Sequence, residues 1–423
     1  TRVRSSAASD VYKRQLMICV GIDVSKRKST VCFMAPGDKI IRRPFDVKHT
    51  KEELQPLVDE IRVQAKYDEI KVVMESTGVY HLSIAYFLQQ NGIFVSVVNA
   101  LKVANFNKAE NFRHTKTDSI DSTNIARYGI AYWAKLPQFD LNGDKYFLLK
   151  RLCDAYLNFS EERSRILLQL QSQLEQTMPG IFDLFGGFDI NSGKDKLLDF
   201  LERYCHIEDI IAKSEAEFVA SYREWAKEKG YRSNESKAAT IYAQAKNGIP
   251  SIPNNPIVRE TIMWYVGLLR RADEALMASL TRMEDIAKDL PEYELVGEMG
   301  GVGRVTRVAL IAQIGDVRRF KNKHSLICFA GLTPSIHESG KFRASQNYIV
   351  KKGPAQLRKV LYQVMMSLVM HKIPKDDAVY RFIKKKEAEG KYKKVAKVAG
   401  MAKFLRIYYG RVMHLYRDLG LAA

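Results

Sequence analysis

The sequence predicts an α/β domain at the amino end of the chain and mainly helical structure after it. Two patterns support this division. Short apolar runs alternate with helically spaced segments from Met17 to about Asn99, which is typical of a sheet covered by helices. From about Lys145 onward, apolar residues recur at long helical spacing instead.

Charge and composition narrow the class of partner. The 423 residues include 67 Lys and Arg against 48 Asp and Glu, which gives a net charge of +19. This balance favours a polyanionic partner, although a protein at a membrane surface also fits. Between Lys341 and Ala423 there are 20 Lys and Arg against 5 Asp and Glu, so most of the excess lies in the basic tail.

Hydropathy and cysteine usage predict the location. No apolar run reaches the roughly 18 residues that a membrane span needs. The five cysteines are widely spaced and form no Cys-x-x-Cys pair, which argues against a disulfide framework or a zinc site. We expect a protein of the reducing cytoplasm. Thr1 to Leu16 show neither a signal-peptide core nor periodicity, and we expect a non-native or disordered leader there.

Residues 17–139 are expected to form the α/β domain. The apolar runs predict strands at Met17 to Asp23, Ser29 to Met34, Lys39 to Phe45, Ile70 to Met74 and Ile93 to Val98. Helical spacing predicts helices at Thr50 to Gln64, Val79 to Gln90 and about Ser119 to Ala134. Thr50 and Glu53 have the spacing of a capping box. Asn99 to Lys116 is predicted to be a polar, basic loop.

Four acids stand out in this domain. Asp23 and Glu75 each close an apolar run, and open α/β sheets place ligands beyond the carboxyl ends of their strands. Asp118 and Asp121 are three residues apart near a helix start, so they share a face of that helix. Clustered carboxylates suit Mg²⁺, a hard cation that prefers oxygen ligands. The alternative is that all four are solvated ends of helices and strands.

Residues 140–290 are interpreted as a helical spacer. Apolar residues recur every seven positions near its end, at Ile262, Leu269, Leu276, Met283 and Leu290. This is the seam of a coiled coil or of an antiparallel helix pair. A helix packed within its own domain and a dimer-forming arm both remain open. Gly180 to Pro256 is more irregular, with helices predicted around Leu197 to Tyr204 and from Ser214 to Lys227, and its sequence indicates no function.

Residues 291–423 are predicted to be a mainly helical domain. The glycine-rich stretch from Val296 to Arg304 joins two helices and resembles a helix-hairpin-helix, in which backbone N–H groups approach a phosphate. Arg304 and Arg307 would assist that contact. An ordinary tight turn remains the alternative. Further on, Ser339 and Gly340 lie in a lysine-containing loop, although a serine is a weak nucleophile unless a base or a metal activates it.

Five motifs occur in order along the chain and carry a resemblance to a known family. They are Gly21 to Lys26, Met74 to Tyr80, Lys116 to Asp121, Gly301 to Gly303 with Ile314 to Asp316, and Gly331 to Pro334 with Ser339-Gly340 and Lys352 to Arg358. Together they are similar to those of the DEDD-type insertion-sequence transposases, the "IS one-ten" family, which are guided by a bridge RNA.

This resemblance implies a fold and a chemistry. The first domain would have the RuvC-like, ribonuclease-H-like fold, and the last would be a transposase domain that shares a composite active site with it. Asp23, Glu75, Asp118 and Asp121 would hold two Mg²⁺ ions. Ser339 would be the catalytic serine that forms a covalent phosphoserine link to DNA, with Ser335 as its rival in the same loop.

The partners implied are donor and target DNA, a structured guide RNA and further copies of the chain in a dimer or tetramer. The candidate nucleic-acid contacts are Lys116, Arg304, Arg307, Lys341, Lys351, Lys352, Arg358, Lys384, Lys385, Lys386, Lys393 and Lys394. In the tail, Tyr392, Phe404, Tyr408 and Tyr409 would stack on exposed bases. A solvated helix face is the alternative there.

Two other functions fit parts of the pattern. A RuvC-like nuclease or junction resolvase would use the four acids to activate water and would not need Ser339. A non-catalytic nucleic-acid-binding or scaffold protein would need neither.

Overall fold

A computed structural model of the chain describes residues 17–76, 78–110, 117–139, 145–335, 338–339, 342–343, 348–371 and 378–421. The chain divides into two compact units, Thr1–Asp144 and Lys145–Ala423. No helix in the described ranges has the length and apolar composition needed to cross a membrane. The predicted domain limits near residues 140 and 290 stay predictions.

The first unit contains a mixed five-stranded sheet. Its strands are β1 (Met17–Val24), β2 (Lys28–Ala35), β3 (Lys39–Lys48), β4 (Glu69–Glu75) and β5 (Val95–Val98). The spatial order is β3-β2-β1-β4-β5. The three strands at the amino end of the chain pair antiparallel, whereas β4 pairs parallel with both β1 and β5. The predicted α/β class is therefore confirmed for this unit.

Helices cover both faces of this sheet. They are α1 (Lys51–Ala65), α2 (Tyr80–Gln90), α3 (Ala100–Glu110) and α4 (Asp118–Ala131). Alternate residues of a strand point to opposite faces, and the core divides accordingly. Ile22 of β1 and Met74 of β4 pack in the cluster that contains residues of α1 and α2. Cys19 and Val73 pack in the cluster that contains residues of α3 and α4.

Two local predictions for this unit are wrong. Most of the predicted loop after Asn99 is α3, because Val103 is buried against the sheet and Phe106 packs in the same cluster. The capping box at Thr50 does not form, and the Thr50 side chain makes no capping hydrogen bond. The Glu53 carboxylate instead accepts a hydrogen bond from the Lys48 backbone amide at 2.7 Å.

The second unit is mainly helical, as predicted. Its helices are α5 (Lys145–Thr177), α6 (Lys196–Leu201), α7 (Ile207–Ile211), α8 (Glu215–Glu228), α9 (Glu235–Asn247), α10 (Pro256–Ala287), α11 (Tyr293–Gly297), α12 (Arg304–Ile314), α13 (Lys323–Phe329), α14 (Ala355–Met370), α15 (Ala378–Ala388) and α16 (Lys393–Asp418). Two short antiparallel strands, β6 (Glu338–Ser339) and β7 (Phe342–Arg343), precede α14.

The long helices α5 and α10 form an antiparallel pair. Ile262 and Leu269 pack in one core cluster with Leu170 of α5, while Leu276 and Met283 pack in another with Leu149. The heptad seam is therefore filled within a single chain. The first cluster also contains residues of α6 to α9, and the second contains residues of α12, α14 and α16.

Candidate active site and nucleic-acid-binding residues

Helix α4 lies directly on strand β1. A Cβ atom placed on Gly21 would stand only 2.3 Å from the Ser122 carbonyl oxygen, and one on Gly129 would stand 2.2 Å from the Cys19 Sγ atom. Residue numbers rise along α4 as they fall along β1, so the helix runs antiparallel to the strand. The amino end of α4 consequently lies at the carboxyl end of β1. An isolated glycine inside a strand is the sequence signal for such a close approach.

The four predicted acids are brought to this same edge. Ile22 pairs with Met74 in the parallel register of β1 and β4, so Asp23 and Glu75 follow side by side. Both lie on the face that α4 covers, because they alternate with Ile22 and Met74 on the opposite face. Asp118 and Asp121 occupy the first turn of α4. The acids therefore converge on one edge and one face of the sheet.

The first turn of α4 is capped by a neighbouring residue. The Thr117 side chain accepts a hydrogen bond from the Ile120 backbone amide at 3.3 Å, so neither Asp118 nor Asp121 serves as the cap. The Lys28 ammonium is near enough to Asp118 for their charges to interact. Its pKa is raised, mainly by a hydrogen bond to Asp46 and further by the charges of Asp46 and Asp118.

Two properties decide whether the four acids could hold a metal ion: the type of ligand atom that they offer and the distances between their side chains. Carboxylate oxygens are the ligands that Mg²⁺ prefers. Across the described ranges, however, no three His, Cys, Asp or Glu side chains are grouped closely enough to hold a metal ion. Asp23, Glu75 and Asp121 each already interact with another group of the protein. The donor set fits Mg²⁺, but its side chains do not form a preformed cage.

The two candidate serines differ in their surroundings. Ser335 is engaged twice by the Tyr348 carbonyl oxygen, which accepts hydrogen bonds from the Ser335 amide at 2.7 Å and from its hydroxyl at 3.0 Å. Ser339 is the second residue of β6 and pairs with Phe342 of β7. The Ser335 hydroxyl thus has a structural role, whereas the backbone of Ser339 is presented on a short hairpin.

The arginines near the glycine-rich turn bind groups of the protein itself. The Nε and Nη2 atoms of Arg304 donate hydrogen bonds to the Glu284 carboxylate, at 2.7 and 2.8 Å. Glu284 is only 9% exposed, and the hydrogen bond from Arg304 is the main cause of its lowered pKa. Arg307 lies over the Tyr293 ring, 4.6 Å from its centre, and close to Gly297, where any Cβ would collide with the guanidinium.

Among the predicted nucleic-acid contacts in residues 351–358, one side chain binds the protein's own backbone and two are exposed. The Arg358 guanidinium donates hydrogen bonds to the carbonyl oxygens of Ala330 and Gly353, at 3.2 and 2.9 Å, and so ties two loops together. Lys351 and Lys352 are exposed. Lys116 and Lys341 lie outside the described residues.

The basic tail is divided between paired and exposed lysines. Lys384 and Lys386 form ion pairs with Glu387 and Glu389, at 2.8 and 2.6 Å. Lys385, Lys393 and Lys394 are exposed.

The aromatic prediction for the tail needs a correction. Phe404 and Tyr408 are 1% and 0% exposed, because they belong to the buried stripe of α16, and neither ring is accessible for base stacking. The Tyr409 hydroxyl donates a hydrogen bond to the Phe320 carbonyl oxygen at 3.1 Å.

Two sequence models match the chain on either side of the α6–α9 region. A DEDD transposase model of the IS110 group matches residues 20–179, and the model described as "Transposase IS116/IS110/IS902 family" matches residues 293–381. Together they cover more than half of the chain.

Curated relatives agree with these models. Over 115 residues, the chain is 33% identical to the pilin gene-inverting protein of Moraxella bovis, covering 27% of this chain and 35% of that protein. The transposase of insertion sequence element IS1111A from Coxiella burnetii is 32% identical over 27% of this chain and 30% of its own length. The aligned part therefore spans about a third of these relatives.

Two further matches are more distant. The transposase of element IS1533 from Leptospira borgpetersenii is 20% identical over 81% of this chain and 83% of its own length. Thermus thermophilus RuvC bound to a Holliday junction substrate is 12% identical, covering 29% of this chain and 99% of that one, with a TM-score of 0.22. At that TM-score the structural match carries no weight here.

The amino-terminal unit has a mixed sheet with four acids at one edge, and the second unit is helical and ends in a basic tail. Transposase models match parts of both units, so the chain is a protein of the transposase class. The chain belongs to the IS110 family of transposases.

Proposed function

We propose that this protein cleaves and exchanges DNA strands during transposition of an insertion sequence. The observation that carries the proposal is the convergence of Asp23, Glu75, Asp118 and Asp121 on one edge of the sheet, where α4 lies on β1. The strand order, with three antiparallel strands followed by two parallel ones, supports a ribonuclease-H-like fold for this unit. Membership of the IS110 family supports DNA as the substrate.

The four acids are the residues proposed to hold two Mg²⁺ ions. Bound there, the ions would stabilise the charge on the attacking and leaving oxygens of a phosphoryl displacement. The protein's own contribution is to hold Asp23 and Glu75 in adjacent register and to place Asp118 and Asp121 at the start of a helix that packs closely on β1, because Gly21 has no side chain.

Ser339 is the proposed nucleophile. Its hydroxyl oxygen forms a bond to a DNA phosphorus as the bond from that phosphorus to a deoxyribose oxygen breaks. The serine loses its proton, and the departing sugar oxygen gains one and leaves as a hydroxyl. One phosphate ester bond replaces another, so the bond energy is kept in the phosphoserine link. The hydroxyl of a second strand can therefore attack that link and reseal the DNA without ATP. The structural role of the Ser335 hydroxyl supports Ser339 over its rival.

The proposed partners are donor DNA, target DNA and a structured guide RNA, bound in the cytoplasm by a dimer or tetramer. Support for the RNA comes from the motif resemblance and from the excess of lysine in the tail. The exposed lysines, among them Lys351, Lys352, Lys385, Lys393 and Lys394, suit phosphate contacts because neutralised phosphates release counterions.

A denaturing gel tests this proposal. The full chain is incubated with Mg²⁺, donor and target DNA and a transcript of the non-coding sequence that flanks its gene, and then denatured. We expect DNA attached to protein, with attachment lost in Ser339→Ala and retained in the matched control Ser335→Ala. Asp23→Asn should abolish both attachment and strand exchange.

Other outcomes identify the alternatives. DNA that is cut but never attached to protein would indicate a RuvC-like nuclease or junction resolvase that activates water. Full strand exchange by Ser339→Ala would refute the serine assignment. Unchanged attachment and exchange in Asp23→Asn would refute the role of this acid, and binding of nucleic acid by the wild type with neither cutting nor attachment would indicate a non-catalytic nucleic-acid-binding protein.

A further inference from the structure

The turn between α15 and α16 exposes one aromatic ring. Tyr392 is 85% exposed, and it makes no ring-ring or cation-ring contact with any of the residues that the structure describes. It immediately precedes α16, which begins at Lys393. A tyrosine this exposed leaves both faces of its ring open to solvent.

The backbone position of Tyr392 is fixed by the helices on either side of it. The Lys391 amide donates a hydrogen bond to the Lys386 carbonyl oxygen at 3.1 Å, and the Ala396 amide donates one to the Tyr392 carbonyl oxygen at 3.0 Å. Helices α15 and α16 pack closely, since a Cβ on Gly400 would stand 2.7 Å from the Ile383 side chain. Tyr392 therefore lies at the tip of a packed helical hairpin.

Cations surround this tip. Lys385, Lys391, Lys393 and Lys394 are all exposed, and no carboxylate in the described ranges lies within ion-pair distance of them. The nearby acids are Glu387 and Glu389, which are paired with Lys384 and Lys386. Lys385 and Lys391 also contribute to lowering the pKa of Glu389, after the larger effect of Lys386. The tip keeps a strong positive excess.

We propose that this tip binds single-stranded nucleic acid, with the Tyr392 ring stacked on an unpaired base and Lys391, Lys393 and Lys394 on the flanking phosphates. This inference rests on the proposed function, since strand exchange creates unpaired strands. Aromatic rings interleaved with cations are how proteins hold single strands, because every base has a face for stacking. In a duplex those faces are already covered, so the ring adds nothing to duplex binding.

The proposal is tested by the affinity of the full chain for three labelled oligonucleotides of about 20 nucleotides: oligo(dT), oligo(U) and a DNA duplex. Tyr392→Ala should weaken binding of at least one single strand by about 5-fold to 100-fold and should change duplex binding less than about 2-fold. Tyr392→Phe keeps the stacking surface and should bind single strands like the wild type. If Tyr392→Ala loses affinity for oligo(dT) alone, the ligand is a DNA strand. If it loses affinity for oligo(U) alone, the ligand is RNA.

Tyr67→Ala is the matched control, because Tyr67 is also highly exposed, at 70%, but lies in the first unit between α1 and β4. It should bind all three oligonucleotides like the wild type. The salt dependence supplies a second readout, since each lysine lost from a phosphate lowers the slope of log Kd against log salt by about 0.7 for a single strand. Lys393→Gln and Lys394→Gln should each show that change.

Three results would overturn the inference: no single-strand binding by the wild type, no loss in Tyr392→Ala, or an equal loss for single strands and duplex. None of them depends on strand exchange. If Tyr392→Ala binds normally while Asp23→Asn abolishes exchange, the stacking role fails and the proposed function stands.

Discussion

Two basic regions of the second unit, both predicted to contact nucleic acid, have opposite surroundings. In the first, which comprises the glycine-rich turn and the start of α14, Arg304, Arg307 and Arg358 bind a carboxylate, an aromatic ring and backbone carbonyls of the protein. At the tip between α15 and α16, Lys393 and Lys394 are exposed and unpaired among the described residues. One region uses its cations to hold the fold together, and the other keeps them available for a ligand.

The difference follows the chemistry of the two side chains. Guanidinium is a planar fork that satisfies two acceptors at once and tolerates burial, whereas an ammonium is strongly hydrated and stays in water. Net charge counts both kinds equally. The +19 of the sequence therefore does not show where the charge available to a polyanion lies, and the exposed lysines are a better guide to the binding surface.

The largest expected effect comes from breaking the pair between α10 and α12. Arg304→Ala leaves the Glu284 carboxylate buried without its partner, which typically costs about 3–5 kcal/mol. Urea unfolding followed by far-UV circular dichroism measures the loss. Arg406→Ala, an exposed arginine of α16, is the control and should change stability by less than about 0.5 kcal/mol. Equal stabilities for the two variants would show that Arg304 does not hold the fold.

The same pair predicts a pH dependence. The folded pKa of Glu284 lies below its ordinary value of 4.5, chiefly because of the hydrogen bond from Arg304. Its stabilising contribution is therefore complete above that ordinary value and is lost as the pH falls through the lower, folded pKa. The stability difference between the wild type and Arg304→Ala should narrow below about pH 4.5. A difference that stays constant from pH 7 to pH 3 would contradict this assignment.

Much of the fold was predictable because its signals are local. Apolar runs located β1 to β5, and helical spacing located α1, α2, α4 and α10. Helix α3 was missed because, among its described side chains, Val103 alone is fully buried, so the segment lacks the repeated apolar spacing that marks a helix. Glu53 has the spacing of a capping residue, but its carboxylate accepts a hydrogen bond from the Lys48 amide instead. The spacing of Thr50 and Glu53 does not reveal this competing donor.

The site was less predictable because its residues meet through distant partners. Asp23 and Glu75 could be placed at strand ends from the sequence alone, but their adjacency depends on the pairing of β1 with β4. The partner of Arg304 lies twenty positions earlier on another helix. The burial of Phe404 and Tyr408 did have a local signal, since they continue the helical spacing of Ala396, Met401 and Val412.

A smaller effect tests whether the exposed tip is held rigidly. In α16, a Cβ at Gly400 would meet the side chains of Ile383 and Met365, whereas one at Gly410 would meet nothing within 4 Å. Gly400→Ala should destabilise the protein by about 1–3 kcal/mol through overpacking. Gly410→Ala, its matched control in the same helix, should stabilise by about 0.5–1 kcal/mol because alanine favours helix. Thermal unfolding distinguishes them, and stabilisation by both would indicate that α15 is free to move away from α16.

The smallest effect on stability is expected at the tip itself, and it separates the two basic regions most clearly. Lys394→Gln removes a charge that has no ion-pair partner in the described residues, so the free energy of unfolding should change by less than about 0.5 kcal/mol. Its effect should appear only in the salt dependence of nucleic-acid binding. Arg304→Ala should show the reverse, a large loss of stability with little change in that dependence. If Lys394→Gln lost stability to the same extent as Arg304→Ala, the tip would belong with the residues that hold the fold, and the division between structural arginines and ligand-binding lysines would fail.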